Sequence, residues 1–182
     1  SSSWVALCFD EEQHMRHRRN GDCPILGMPL GTLPSNPQQN SQLGMPFAYS
    51  AAQIAALQEA SKSPDDPVKA IDLPPPRTPK ERLERAVVQD LSQRGYFVLG
   101  GARHGFDFVV YEGDPVRHHG SMFVVLVEED RELLPRELVL WNRLAATAHK
   151  SVLLASMGEA ELEPTYIDLQ CLQKTAVAAN PG

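Results

Sequence analysis

Met122-Phe123-Val124-Val125-Leu126-Val127 and Ser151-Val152-Leu153-Leu154-Ala155 are nearly continuous apolar runs. Between them a segment opens on Pro135 and repeats apolar residues at Leu138, Trp141, Leu144 and Ala148. A strand with one wet face alternates polar and apolar residues, whereas an unbroken apolar run of five or six belongs to a strand covered on both faces. The intervening spacing is helical, and Pro fits the first turn of a helix. Residues 122–155 therefore read as strand, helix, strand: a parallel pair joined by a right-handed crossover. Working upstream, Tyr96–Leu99 and Phe106–Tyr111 read as strands around a Gly100-Gly101 turn, and residues 112–120 as a polar loop. Thr78-Pro79-Lys80-Glu81 has the form of a capping box with Pro at the first helical position. Leu83, Val87 and Leu91 then mark one apolar helix face, and Gly95 a stop. Downstream, Tyr166–Cys171 is the last strand. The fold class is α/β (α+β): a mixed sheet with helices packed on it.

The N-terminal part is smaller. Trp4–Phe9 reads as a strand and Asp10–Arg19 as a polar helix. Ile25–Leu33 is a Pro/Gly-rich apolar stretch, Pro34–Gly44 a polar turn, and Ser50–Ala60 a second helix with Ser50 as its N-cap. The basic run His14-Met15-Arg16-His17-Arg18-Arg19 reads first as a solvated helix face, and second as an RNA contact or import patch. Ser63-Pro64-Asp65-Asp66-Pro67 and Asp72-Leu73-Pro74-Pro75-Pro76 disfavour helix and central strand. The expected organisation is a small α/β domain over 1–60, a Pro-rich linker over 61–77, a larger catalytic domain over 78–173 and a tail over 174–182.

At 182 residues, with 42% hydrophobic and 22% charged residues, the chain has the composition of one large or two small globular domains. No run reaches the ~18–20 apolar residues of a membrane-spanning helix, so no membrane association is expected. Cys8, Cys23 and Cys171 make neither a CxxC pair nor an even set, which argues against a disulfide framework and a zinc site. A net charge of −6 excludes a protein that coats nucleic acid by bulk positive charge, but not one with a local basic site. The chain opens on Ser1-Ser2-Ser3-Trp4 without Met, as a trimmed fragment would, and leaves no targeting signal to read.

Tyr111 ends an apolar strand, His118 and His119 lie in the loop after it, and Lys150 stands between a helix and a buried strand. Strand ends and their loops are where side chains converge on a ligand. A phenol, an imidazole and an ammonium suffice to cleave RNA without a metal. The ribose 2′-hydroxyl attacks the neighbouring phosphorus and gives up a proton, the 5′-oxygen leaves and takes one, and the phosphorane between them gathers negative charge. Histidine can supply a proton near neutrality. Tyrosine is a poor base unless a cation lowers its pKa, and Lys150 is placed in the sequence to do so. By themselves these residues also fit a core-edge Tyr, a solvated His and a helix-terminal Lys.

The segment from Asp90 to Gly101, followed by Gly105-Phe106-Asp107-Phe108-Val109-Val110-Tyr111-Glu112-Gly113-Asp114-Pro115-Val116-Arg117-His118-His119, resembles the catalytic domain of the tRNA-intron endonucleases. Asn142-Arg143-Leu144-Ala145-Ala146-Thr147-Ala148-His149-Lys150-Ser151-Val152-Leu153-Leu154-Ala155 resembles that family's second motif. The Tyr-x-Gly-Asp-Pro form, with Gly31-Thr32-Leu33-Pro34 and Gln38 through Pro46, is similar to the eukaryotic catalytic subunit that cuts the 3′ splice site. The resemblance implies a restriction-endonuclease-like catalytic domain and nuclear tRNA splicing without a cofactor or metal. It implies Tyr111 as general base, His119 as general acid and Lys150 as the transition-state cation. It also implies a heterotetramer with a second catalytic subunit and two structural subunits, acting on intron-containing pre-tRNA. Arg143 falls on an arginine that stacks on a flipped intron base. The opposing slab of that clamp falls near Cys171, which cannot stack, and Arg103-His104-Gly105 stands where the family has Lys-Phe-Gly.

Two rivals come from other classes. A metal-dependent restriction-type nuclease needs an Asp and a Glu-x-Lys strand; Asp107 or Asp114 with Glu128-Glu129-Asp130-Arg131 is the nearest match, and the Lys is missing. A non-catalytic structural subunit of the same fold would be expected to lack part of the Tyr, His and Lys set, and here all three are present.

Overall fold

The computed structural model describes residues 5–19, 24–30, 45–115, 117–158 and 161–169, apart from the side chains of Arg18, Arg19 and Pro29. The expected polar turn, Cys23, Cys171 and the tail lie outside these residues. The elements run β1 (Val5–Cys8), α1 (Glu11–Arg19), β2 (Met28–Pro29), β3 (Phe47–Ser50), α2 (Ala51–Ala60), α3 (Pro79–Gln93), β4 (Phe97–Gly100), β5 (Phe108–Tyr111), β6 (Met122–Leu126), α4 (Pro135–Thr147), β7 (Ser151–Ser156) and β8 (Thr165–Asp168). No helix among the described residues is long and apolar enough to cross a membrane.

Two sheets form. The larger has the order β4-β5-β6-β7-β8, with β6 and β7 parallel and the other pairs antiparallel. Its central strands β5, β6 and β7 are covered on both sides, as their apolar runs predict. Phe108, Val110, Val124, Leu126 and Ala155 face α3, which contributes Leu83, Val87, Val88 and Leu91. Their neighbours Val109, Phe123, Val125, Val152 and Leu154 face α4, which contributes Trp141 and Ala145. The smaller sheet has the order β1-β3-β2, antiparallel throughout.

The ends of α3 show how local sequence sets the frame. Thr78 Oγ1 accepts from Glu81 N–H at 3.1 Å, but the Glu81 carboxylate accepts from the N–H of Arg77 rather than that of Thr78, so the expected capping box is half made. At the other end Gly95 has φ +90, and the N–H groups of Gly95 and Tyr96 donate to the carbonyls of Ser92 and Leu91. This is the paired bond pattern that stops a helix at a left-handed residue, a conformation glycine adopts without a Cβ penalty.

The segment 61–77 packs down. It carries a short 3₁₀ turn over Pro67–Ala70 with Val68 fully buried, and Gln58 donates to the carbonyls of Val68 and Ile71. Arg85 donates to the carbonyl of Pro74. One apolar cluster runs from Phe47, Ile54 and Leu57 through Val87 and Leu91 to Val110 and Val124. Gln53, on α2, donates both to Leu26 and, at 3.4 Å, to Val98 of β4. The small unit is thus seated on the back of α3, away from the face that α4 covers.

The basic run on α1 divides by helix face. His14 is buried, stacked on Phe47 with ring centroids 3.5 Å apart, and its Nδ1 shares a 2.7 Å hydrogen bond with the Tyr49 hydroxyl. His17 meets the Tyr49 ring edge-on. The solvated-face reading holds for Arg16, which is paired with Glu12, but not for the two histidines.

Candidate active site at one end of the mixed sheet

Strand direction places the candidate residues. β5 runs antiparallel to β6, and β6 parallel to β7, so the C-terminal end of β5 lies beside the starts of β6 and β7. Tyr111 is the last residue of β5, His119 comes three residues before β6, and Lys150 immediately precedes β7. Three distant stretches are thereby gathered at one end of three neighbouring strands.

Side-chain parity puts two of them on one face. Tyr111 follows Val109 by two residues and packs against the cluster under α4. Lys150 precedes Val152 by two residues, and its Nζ lies 5.8 Å from the centre of the Phe123 ring in that cluster. One strand separates β5 from β7, so their backbones stand about 10 Å apart, a gap that the chain around Gly120 and Ser121 partly fills.

Gly120 is a residue that sequence reasoning missed. Its carbonyl accepts from the Lys150 ammonium at 2.5 Å. A Cβ on Gly120 would lie 2.6 Å from Val109 Cγ1, so no larger residue fits unless Val109 moves. Next in the chain, the Ser121 N–H donates to Val110 and the Ser121 carbonyl accepts from Ser151 N–H, locking the three strands in register. A lone glycine between a His pair and a serine gives no sequence signal of this duty.

His149 was missed for a different reason. Beside Lys150 on a continuing helix, its side chain would point about 100° away. In the structure α4 stops at Thr147, and His149 has φ 52. The N–H of His149 donates to Ala146 and that of Lys150 to Ala145, the same helix stop that Gly95 makes on α3. A left-handed conformation is uncommon for a residue with a side chain. Here it turns the chain from α4 onto β7 and fixes the backbone of Lys150.

The two loop histidines differ. His118 folds back, its ring against Gly113 and its Nδ1 3.2 Å from the Asp114 carbonyl. His119 is exposed, one residue from the carbonyl that holds Lys150.

Two expectations are corrected. Lys150 does not lower the Tyr111 pKa: burial pushes this phenol up, and the ammonium is held by Gly120 over Phe123. α4 ends at Thr147, so Arg143 and Lys150 do not stand on one continuous helix. Arg143 lies on the outward side of α4, where it lines an open groove with Arg136, Val139 and Leu140. The inward stripe of α4 is Leu138, Trp141 and Ala145; Leu144 and Ala148, expected on it, are exposed. The guanidinium over Trp141 belongs to Arg131, which also bonds Glu137 at 2.7 Å.

Asp107, the candidate metal ligand of the rival reading, is in use as a bracket. One oxygen accepts from Leu126 N–H at 2.9 Å and the other pairs with Lys80 at 2.9 Å. Glu128, Glu129 and Asp130 are exposed in the turn after β6. Among the described residues no group of three or more His, Cys, Asp or Glu is arranged to hold a metal ion.

The larger unit is a five-stranded mixed sheet between helices, with an imidazole, a phenol and an ammonium at one end. Residues 82–166 match the family model of the tRNA intron endonuclease catalytic C-terminal domain, and residues 2–62 match that of the TSEN34-like N-terminal domain. The larger domain of the chain thus matches the tRNA intron endonuclease family. It is 40% identical over 85 residues to a tRNA-splicing endonuclease of Methanopyrus kandleri, covering 47% of this chain and 48% of that protein. It is 29% identical over 142 residues to the tRNA-splicing endonuclease subunit Sen34 of Mus musculus, covering 75% of this chain and 45% of the relative. The chain thus spans about half the length of the curated relatives it matches.

Proposed function

We propose that this chain is a catalytic subunit of a tRNA-splicing endonuclease that cuts intron-containing pre-tRNA at the 3′ splice site without a metal. Its products are a 2′,3′-cyclic phosphate and a 5′-hydroxyl. The observation that carries the reading is the convergence of Tyr111, His119 and Lys150 at the adjoining ends of β5, β6 and β7. The Tyr111 phenolate takes the proton of the 2′-hydroxyl as its oxygen attacks phosphorus. His119 gives a proton to the departing 5′-oxygen. Lys150 stands beside the phosphorane, where charge is greatest. Burial pushes the Tyr111 phenol above its ordinary pKa, so the phenolate is a minor form near neutral pH.

Arg143 serves the RNA rather than the bond change, as an exposed guanidinium beside an unpaired intron base. The acidic chain works in the nucleus with a second catalytic subunit and two structural subunits, which supply the positive potential a tRNA requires. A non-catalytic subunit has no use for the set at this sheet end, and Asp107 is already engaged by Leu126 and Lys80.

The test is Lys150→Ala in the assembled enzyme. Single-turnover cleavage is expected to fall by about 10²–10³-fold, the scale of a lost transition-state charge contact, while pre-tRNA binding in a filter assay stays within about twofold. Equal loss of binding and cleavage would make Lys150 a phosphate contact and overturn its role.

A further inference from the structure

The small sheet leaves one face open. Ala6, Cys8, Phe47 and Tyr49 pack inward on the main core. The residues between them point the other way. Leu7 and Met28 both pair with Ala48, so these three form one row across β1, β3 and β2. Val5 pairs with Ser50 on one side of that row. On the other side Phe9 extends β1, and Leu30, whose N–H donates to the Pro46 carbonyl, extends β2. Leu7 is 50% exposed, Met28 53% and Phe9 69%. Val5 and Leu30 are also exposed, and among the described residues none of this face carries a charge.

We propose that this face docks another protein subunit of the splicing assembly, one that presents an uncharged apolar face of its own. The inference rests on the proposed membership of such an assembly. RNA is a poor occupant, because binding a phosphate backbone needs lysines and arginines and this face has none. Five large apolar side chains at about half exposure or more make a patch of several hundred Å², comparable to the largest patch on a typical monomer. A standard stable interface takes about 800 Å² from each partner, so the patch supplies much of one side. It lies wholly within the part matched to the TSEN34-like N-terminal domain, and the mouse relative sharing 75% of this chain is named a subunit. Two sheets stacked face to face would bury it without breaking either ladder.

The experiment co-produces the chain with the other endonuclease subunits of its source and uses two measurements. Hydroxyl-radical footprinting of the wild type, free and assembled, reads Met28; at least fivefold protection of it on assembly is expected. Leu7→Asp and Met28→Asp are each expected to weaken entry into the complex by at least tenfold while the isolated chain keeps its circular dichroism and stays monomeric by light scattering. An unprotected Met28 in an assembled complex overturns the proposal whether or not the variants fold. Folded variants that assemble like the wild type overturn it as well. Wild-type dimers dispersed by Leu7→Asp would assign the face to a second copy instead. A wild-type chain that joins no other subunit defeats the assembly reading itself, and the docking face with it.

Discussion

The two sheets of this molecule are built from similar apolar residues and put them to different uses. The central strands of the five-stranded sheet are covered on both faces, by α3 on one side and α4 on the other, and its proposed chemistry sits at the strand ends. The three-stranded sheet is covered on one face, and its other face is apolar and exposed among the described residues. A sheet sealed on both sides can hold a phenol and an ammonium in fixed register at its end. A sheet sealed on one side has binding surface to offer.

The sharpest separation of the two is in stability. Phe123 is 1% exposed, stacked on Phe106 at 4.1 Å, and Leu7 is 50% exposed. Phe123→Ala is expected to cost about 3–5 kcal/mol, whereas Leu7→Ala should fall within about 0.5 kcal/mol of the wild type. Urea unfolding of the isolated chain measures both. Comparable losses would mean that the open face is covered within the chain.

Within the site the contrast narrows to two adjacent histidines. His119→Ala is expected to lower single-turnover cleavage by about 10²-fold or more, as for a lost general acid. His118→Ala should cost far less, because its ring is turned back on Gly113 and Asp114. The reverse order would shift the acid by one residue and give His118 the role.

A smaller effect tests how the sheet end is held. α3 and α4 stop in the same way, one at Gly95 and the other at His149. His149→Gly should be neutral or stabilising, and His149→Val should cost about 1–2 kcal/mol, since a branched side chain resists the left-handed region. Thermal unfolding ranks the three proteins. A glycine variant less stable than the valine variant would show that the imidazole matters more than the backbone.

Much of the larger sheet was legible because its signals are local. The apolar runs at 122–127 and 151–155, Pro135 and Gly95 each constrain their own neighbourhood, and the strands and helix stops fall on them. The strand ends of Tyr111 and Lys150 were legible for the same reason. Other features depend on residues far away in the chain. The fate of the Glu81 carboxylate, the burial that raises Tyr111 and the engagement of Lys150 by Gly120 are set by what packs beside them. The basic run on α1 was half readable: its composition is that of a solvated face, but the three-residue spacing of His14 and His17 turns both toward Tyr49. The junction between α4 and β7 was legible but not its geometry: α4 stops at Thr147, and the left-handed backbone of His149 makes the turn onto β7.

The central claim is that the sheet end cleaves RNA by proton transfer between protein side chains. Its most direct test is the end-group analysis of pre-tRNA cut by the assembled enzyme in excess EDTA. The account predicts an undiminished rate, a 2′,3′-cyclic phosphate on the upstream fragment and a 5′-hydroxyl on the downstream one. Activity lost in EDTA and restored by Mg²⁺, or a 3′-hydroxyl end, would contradict it.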